Sequence, residues 1–250
     1  EIYQCDWSSD VCSSDLYTML FASPGTIVTS PFLLKNRPYE PADFTPISAT
    51  IGSTLVLLVS ADFPANSVRE LIDYARANPG KLAYASAGIG SYFHMTGEMF
   101  KSAAKLDILH VPYKGVPPAL NGLAGGQVEM MFVSVASSQP FATRLKVIGV
   151  NEPKRYAAMP DVPAIGEVVP GFEKLPTWYA FFGPAAMPRP VVTRLNTEMN
   201  KALAASDMRQ YLDSIGFIPL GGSPEELGTA LQKGIAIYGE AVKLADLKPE

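Results

Sequence analysis

Apolar and polar positions change period repeatedly along this chain, and each change marks an element. Short apolar runs read as buried strands: YTMLFA (Tyr17–Ala22), the β-branched ISATIGSTLVLLVS from Ile47, Leu82–Ala85, the alternating DILHV (Asp107–Val111) and VEMMFV (Val128–Val133). Leu145–Val150, the aromatic TWYAFF (Thr177–Phe182) and Phe217–Leu220 continue the series. Between them lie stretches at helical spacing. Ser67-Val68-Arg69-Glu70 fits a capping box; Leu71, Ile72 and Ala75 then supply a buried face, and Pro79-Gly80 ends it. Pro117–Leu123 predicts a short helix stopped by Gly125-Gly126. Val191, Leu195, Met199 and Leu203 stack four residues apart along Pro190–Ala205; Asp207–Ile215 is a second helix, and Ser223-Pro224-Glu225-Glu226 opens a last one. Asn36–Pro46 and Pro160–Pro170 are proline-punctuated surface segments. Strands alternating with helices predict an α/β protein of parallel sheets with covered faces, whose ligand sits beyond the carboxyl ends of strands.

One stretch fits that position. In KLAYASAGIGSYFHMTGE (Lys81–Glu98) an apolar strand stops at Ser86-Ala87-Gly88-Ile89-Gly90-Ser91, and a helix carrying Met95, Met99 and Phe100 on one face follows. A helix start leaves unpaired backbone N–H groups and a partial positive charge, so a small anion is the natural guest. Glycine lets backbone approach a ligand, and Ser86 and Ser91 add hydroxyls. No dinucleotide fingerprint is present, since Phe93 stands where a third glycine belongs; no Gly-Lys-Ser/Thr phosphate loop follows. Ile89 and Phe93 also exclude a nucleophile elbow around Ser91. The chemistry left is carboxylate capture without reaction.

Composition narrows the classes further. The 250 residues are 48% hydrophobic and 18% charged, enough apolar content for one globular unit or two small lobes. A net charge of −4 with no basic stripe argues against nucleic acid and anionic membrane as partners. No apolar run is long enough to span a bilayer. Both cysteines, Cys5 and Cys12, lie in EIYQCDWSSDVCSSDL, a stretch with neither structural period and without the apolar core of a signal peptide. It resembles translated adapter read-through, which makes residues 1–16 a non-native leader with native sequence from Leu16 or Tyr17; a short disulfide loop is the alternative.

YASAGIGSYFH, HVPYKGVPPALNGLAGGQVEMMF, PDVPAIGE, TWYAFFGPAAMPRPVVTRLN and GGSPEEL, in that order, resemble the tripartite tricarboxylate transporter substrate-binding proteins, the Bug or TctC family. The resemblance runs from Tyr17 to the C-terminus. It implies a two-lobe periplasmic binding protein of type II (Venus flytrap), with two crossing hinge strands near Leu55–Val59 and Thr177–Phe182. Lobe one is then 17–59 plus 177–250, and lobe two 60–176. It further implies a monomer without cofactor or metal that closes on a small carboxylate and delivers it to membrane permease subunits. Mapped residue by residue, the ligand-binding positions are Ser23 and Thr26 from lobe one, then Ser86, Ala87, Gly88, Gly90, Ser91, Tyr92 and His94, then Val133 and Ser134, and Trp178 and Tyr179 at the second crossing. The family's opening strand, Pro- and Gly-rich loop and first helix have no counterpart here, which removes part of the lobe-one clamp. Relatives that bind amino acids carry an acidic residue where Val133 stands; burying an ammonium unpaired there would cost several kcal/mol. A di- or aromatic carboxylate is therefore expected, with Tyr92, Phe93, Trp178 and Tyr179 suited to a flat body.

Rival readings attach to the same residues. Ser91 and His94 invite a hydrolase, but no acid is placed to orient His94. His94 and Glu98 share a helix face, as a pair of metal ligands does, yet the chain has two histidines in all. His110 reads as a structural hydrogen-bonding residue and Met130-Met131 as strand core. A carboxylate-sensing domain feeding a regulator or two-component system is the alternative from another class.

Overall fold

The structure, a computed structural model, describes residues 18–36 and 39–247. The leader reading of residues 1–16 and both cysteines lie outside them. In chain order the elements are β1 (Leu20–Ala22), a π-turn (Gly25–Thr29) running into α1 (Ser30–Leu33), β2 (Phe44–Ser53), β3 (Leu55–Ser60), α2 (Val68–Ala77) and β4 (Ala83–Ser86). Then come α3 (Tyr92–Ala104), β5 (Leu109–Pro112), α4 (Val116–Ala124), β6 (Met130–Ser134), α5 (Val135–Ser138), β7 (Leu145–Val150) and α6 (Ile165–Val168). The chain closes with β8 (Tyr179–Pro184), α7 (Arg189–Ala204), α8 (Ser206–Ser214), β9 (Phe217–Pro219) and α9 (Pro224–Leu244).

Two sheets result, in the orders β1-β8-β2-β9 and β5-β4-β6-β3-β7. Here the expectation of parallel sheets is corrected. Every pair of the first sheet is antiparallel, and in the second only β4 pairs in parallel, with β5 and β6. The physical reason is β3. Only Thr54 separates it from β2, and it enters the second sheet antiparallel to β6 and β7. Passage between sheets falls at Thr54, ahead of the expected Leu55–Val59, because β3 is already paired on both sides within the second sheet. Pro46 sits within β2, where a register shift between Pro46 and Ser48 accommodates its missing donor.

Alternation along β3 builds two layers at once. Leu55, Leu57 and Val59 join Tyr84, Phe100 and Phe132 under α2 and α3, whereas Val56 and Leu58 join Met131, Leu120 and Leu123 under α4. The first sheet packs Ala180 and Phe182 against Ile27, Val28 and the α9 residues Leu231 and Tyr238. Helix α3 serves both sheets: Phe100 points into the second sheet's core and Met95 into the first sheet's. The segment returning from α6 to β8 does the same. Phe172 packs on the second core and Leu175 is buried in the first, and a Lys174–Glu152 ion pair of 2.6 Å ties that segment to the residues just after β7.

Candidate functional site

Strand β4 delivers the Ser86–Ser91 loop to the edge of the second sheet, and its glycines are required there. Gly88 and Gly90 hold φ of +129° and +75°, backbone that side chains disfavour. Gly90 is also where the first sheet's unit meets the loop, since a Cβ at Gly90 would overlap Leu33 of α1. Ser91 caps α3: its Oγ accepts from the His94 N–H at 3.3 Å and donates to Gly88 O at 2.7 Å. With the third helical amide satisfied in this way, the amides of Tyr92 and Phe93 begin a thirteen-residue helix without intrahelical acceptors.

The loop's polar side chains face inward, contrary to the expectation that Ser86 and Ser91 offer their hydroxyls. Ser86 is fully buried; its Oγ lies 2.7 Å from His110 Nε2, donates to Gly88 O and accepts from the Gly88 N–H, both at 3.1 Å. The Gly90 N–H donates to His94 Nδ1 at 3.1 Å. Beneath the loop the two imidazoles stack with centroids 3.8 Å apart and planes 12° from parallel, and Tyr84 stacks on His110 at 4.8 Å. Tyr84 donates to Glu98 Oε1 at 2.7 Å, and Glu98 pairs with Lys101. Burial, then Lys101, lowers His94 to about 4; burial, then His94, lowers His110 to about 3. Both are neutral near pH 7. His94 is thus a strut under the loop rather than a contact surface, and His110 is the structural bonding residue its strand position suggested.

Ala87 and Gly88 stay half-buried at the loop, beside exposed Ile89. Ser23 and Thr26 stand at the start of the helix whose Thr29 and Leu33 touch Gly90; neither hydroxyl makes a hydrogen bond among the described residues. Tyr179 is half-buried between Phe21 and Phe217. Tyr92, expected as a flat ligand wall, is a hinge strut instead: its hydroxyl donates to Leu175 O at 3.2 Å on the returning segment. Burial, then Glu152, raises it well above the usual tyrosine range, which keeps it a donor. Tyr238 of α9 donates to the next carbonyl, Pro176 O, at 2.9 Å. Val133 and Trp178 are both buried. Val133 pairs with Val56 inside the α4-side core, and Trp178 packs on Phe182 in the first core. Ser134 is nearly buried and caps α5, accepting from the Ser137 N–H and donating to its hydroxyl. The metal and hydrolase readings find no geometry: Glu98 is taken by Tyr84 and Lys101, and no group of three or more metal-ligating side chains forms among the described residues.

A family model described as the tripartite tricarboxylate transporter family receptor matches residues 10–246. The chain belongs to this family. Among relatives of this receptor family, the UPF0065 protein in the tcbD–tcbE intergenic region of Pseudomonas sp. (strain P51) is 41% identical over 219 residues, 86% of this chain and 65% of that protein. This chain therefore spans less than two thirds of that relative. A solved structure of R. palustris Rpa4515 with adipate is similar at 33% identity and a TM-score of 0.86, covering 94% of this chain and 80% of that one. MatC from Rhodopseudomonas palustris, with bound malate, is similar at 28% identity and a TM-score of 0.78, over 90% and 79% of the respective chains. Two α/β units joined by a hinge are the fold of solute-binding proteins, and receptors of this family are extracytoplasmic binders rather than enzymes. No helix among the described residues is long and apolar enough to cross a membrane.

Proposed function

We propose that this protein captures a small aliphatic dicarboxylate and presents it to the permease of a tripartite tricarboxylate transporter. The observation that carries the reading is the start of α3. Every polar side chain of the loop bonds within the protein, which leaves backbone amides as the donors for a ligand, those of Tyr92 and Phe93 among them, backed by the helix dipole. A carboxylate fits such a pair, each charge-assisted bond contributing roughly 1.5–3 kcal/mol. Ser23 and Thr26 would meet the ligand from the other unit, the four-stranded sheet with its helices being lobe one and the five-stranded sheet lobe two. Their contacts form only on closure, so ligand shifts the open–closed equilibrium. The relatives holding adipate and malate support this class. The inward placement of Tyr92 and Trp178 argues against a flat aromatic body.

Isothermal calorimetry against adipate, malate, citrate, benzoate and neutral amino acids tests it. Saturable binding of an aliphatic di- or tricarboxylate is expected, with little response to benzoate. Binding of amino acids alone would overturn the assignment.

A further inference from the structure

We propose that His94 and His110 are positioning residues that hold the anion loop in its binding form, and that they do so only as a neutral stacked pair. The proposal rests on the carboxylate-receptor reading, whose ligand that loop would meet. Its basis is that the two rings hold opposite ends of the same loop. His110 Nε2 meets Ser86 Oγ at the loop's start, and His94 Nδ1 accepts the Gly90 N–H near its end. Ser86 in turn clips both the amide and the carbonyl of Gly88. The rings stack at 3.8 Å, so the two ends of the loop rest on one continuous contact. With the Gly88 and Gly90 amides bonded inward, the amides at the start of α3 are the ones this reading gives to the ligand.

The acceptor role of His94 Nδ1 requires that this nitrogen carry no proton. Protonation would set an N–H of the ring against the N–H of Gly90, converting an attractive contact into a repulsive one. It would also lay an imidazolium against a second imidazole. The titratable and charged groups acting on the pair are Tyr84 on β4 and Glu98 and Lys101 on α3. Glu98 is the group that favours a cation on His110, but it is already bonded to Tyr84 and Lys101, while Lys101 opposes protonation of both rings. From the other unit, Thr29 and Leu33 press on Gly90 and bring no charge. Acid therefore loosens the loop from beneath, independently of protonation of the ligand itself.

Two substitutions separate positioning from bulk. His94→Asn presents an amide oxygen near the Nδ1 position and cannot titrate; His94→Leu keeps volume and removes the acceptor. Adipate affinity near neutral pH is expected to stay within about threefold of the parent in His94→Asn and to fall by about tenfold or more in His94→Leu, the loss of one buried acceptor. As pH falls to about 4 the His94 ring becomes half protonated, so the parent should lose about twofold more affinity than His94→Asn by that point and progressively more below it, the difference isolating the ring from the ligand's own titration. Equal affinity in parent and His94→Leu, no rescue by His94→Asn, or superimposable pH profiles would each overturn the proposal. Nitrogen-15 spectra of the imidazoles of the ligand-free protein give a readout that needs no binding. They should show His94 as the Nε2–H tautomer at neutral pH, with the Gly90 amide protected from exchange in the parent and in His94→Asn but not in His94→Leu. A protonated Nδ1, titration near the ordinary 6.5, or a Gly90 amide indifferent to these substitutions would sink it even if no carboxylate bound, whereas failure of adipate binding with these signals intact would fault only the receptor reading.

Discussion

Replacing Gly97 by alanine sets two effects against each other in the middle of α3. Gly→Ala in a helix interior is ordinarily stabilising by about 1 kcal/mol, because alanine loses less backbone entropy. Here the added Cβ would overlap Cε2 of Tyr84 and stand 2.7 and 2.9 Å from its Cζ and Cδ2. The ring has no room to yield: it stacks on His110 and its hydroxyl is held by Glu98 at 2.7 Å. Overpacking of this kind costs about 1–3 kcal/mol, and a ring fixed on two sides belongs at the upper end of that range. A net loss of about 1–2 kcal/mol follows, or roughly 2–8 °C in Tm for a protein of this size. Gly228→Ala on α9 is the control, since its nearest neighbour would be Pro46 Cγ at 3.8 Å, an ordinary contact. That change should stabilise by about 0.5–1 kcal/mol. Urea unfolding of both variants beside the parent decides the matter. A Gly97→Ala protein as stable as Gly228→Ala would show that the Tyr84–His110 stack is not rigid and would undo the reasoning.

Ser91→Ala removes the cap of α3 and the tie to Gly88, and should cost about 1 kcal/mol in urea while lowering carboxylate affinity. Tyr92→Phe leaves Leu175 O without its donor; a loss of about 1–2 kcal/mol is expected, with faster amide exchange along the returning segment and an unchanged Gly90 amide. Both imidazoles titrate lower in the folded chain than the ordinary 6.5, so the unfolded chain binds more protons between pH 6.5 and about 4 for His94, or about 3 for His110. Their contribution is complete above pH 6.5 and is lost as pH falls through that window. The stability–pH slope of His94→Asn should therefore be shallower by up to one proton, read from urea midpoints across the window.

Period and caps made much of the fold legible. The Ser67 and Ser223 caps both bond the third helical amide, Glu226 closes its box onto the Ser223 N–H, and Glu70 reaches one residue further back, to the Asn66 N–H. What period cannot show is direction, so nothing in LVLLVS announces that β3 runs antiparallel in a sheet whose β4 is parallel to its neighbours. The loop was recognisable from its glycines and the following helix, but the orientation of its hydroxyls was not. That orientation depends on His110, brought opposite Tyr84 by the β4–β5 register across a long sequence separation. Trp178 and Tyr179 were read together as cleft aromatics. Strand alternation sends them to opposite faces, and the side that buries Trp178 is the α9 side.

The inward commitment of these side chains has a consequence for selectivity. If Ser86, Ser91 and the histidines all bond within the lobe, the five-stranded unit presents backbone amides and a dipole, which recognise a carboxylate without recognising what carries it. Discrimination between ligand bodies must then come from the facing unit, where Ser23 and Thr26 carry hydroxyls unbonded among the described residues. The division is testable. Substituting Thr26 by valine, which keeps shape and removes the hydroxyl, should change the ratio of adipate to malate affinity, because the hydroxyl of malate gains or loses a partner on that side. Ser91→Ala should weaken both ligands by the same factor. If Ser91→Ala changes the ratio and Thr26→Val does not, selectivity resides in the loop, and the assignment of roles to the two lobes is reversed.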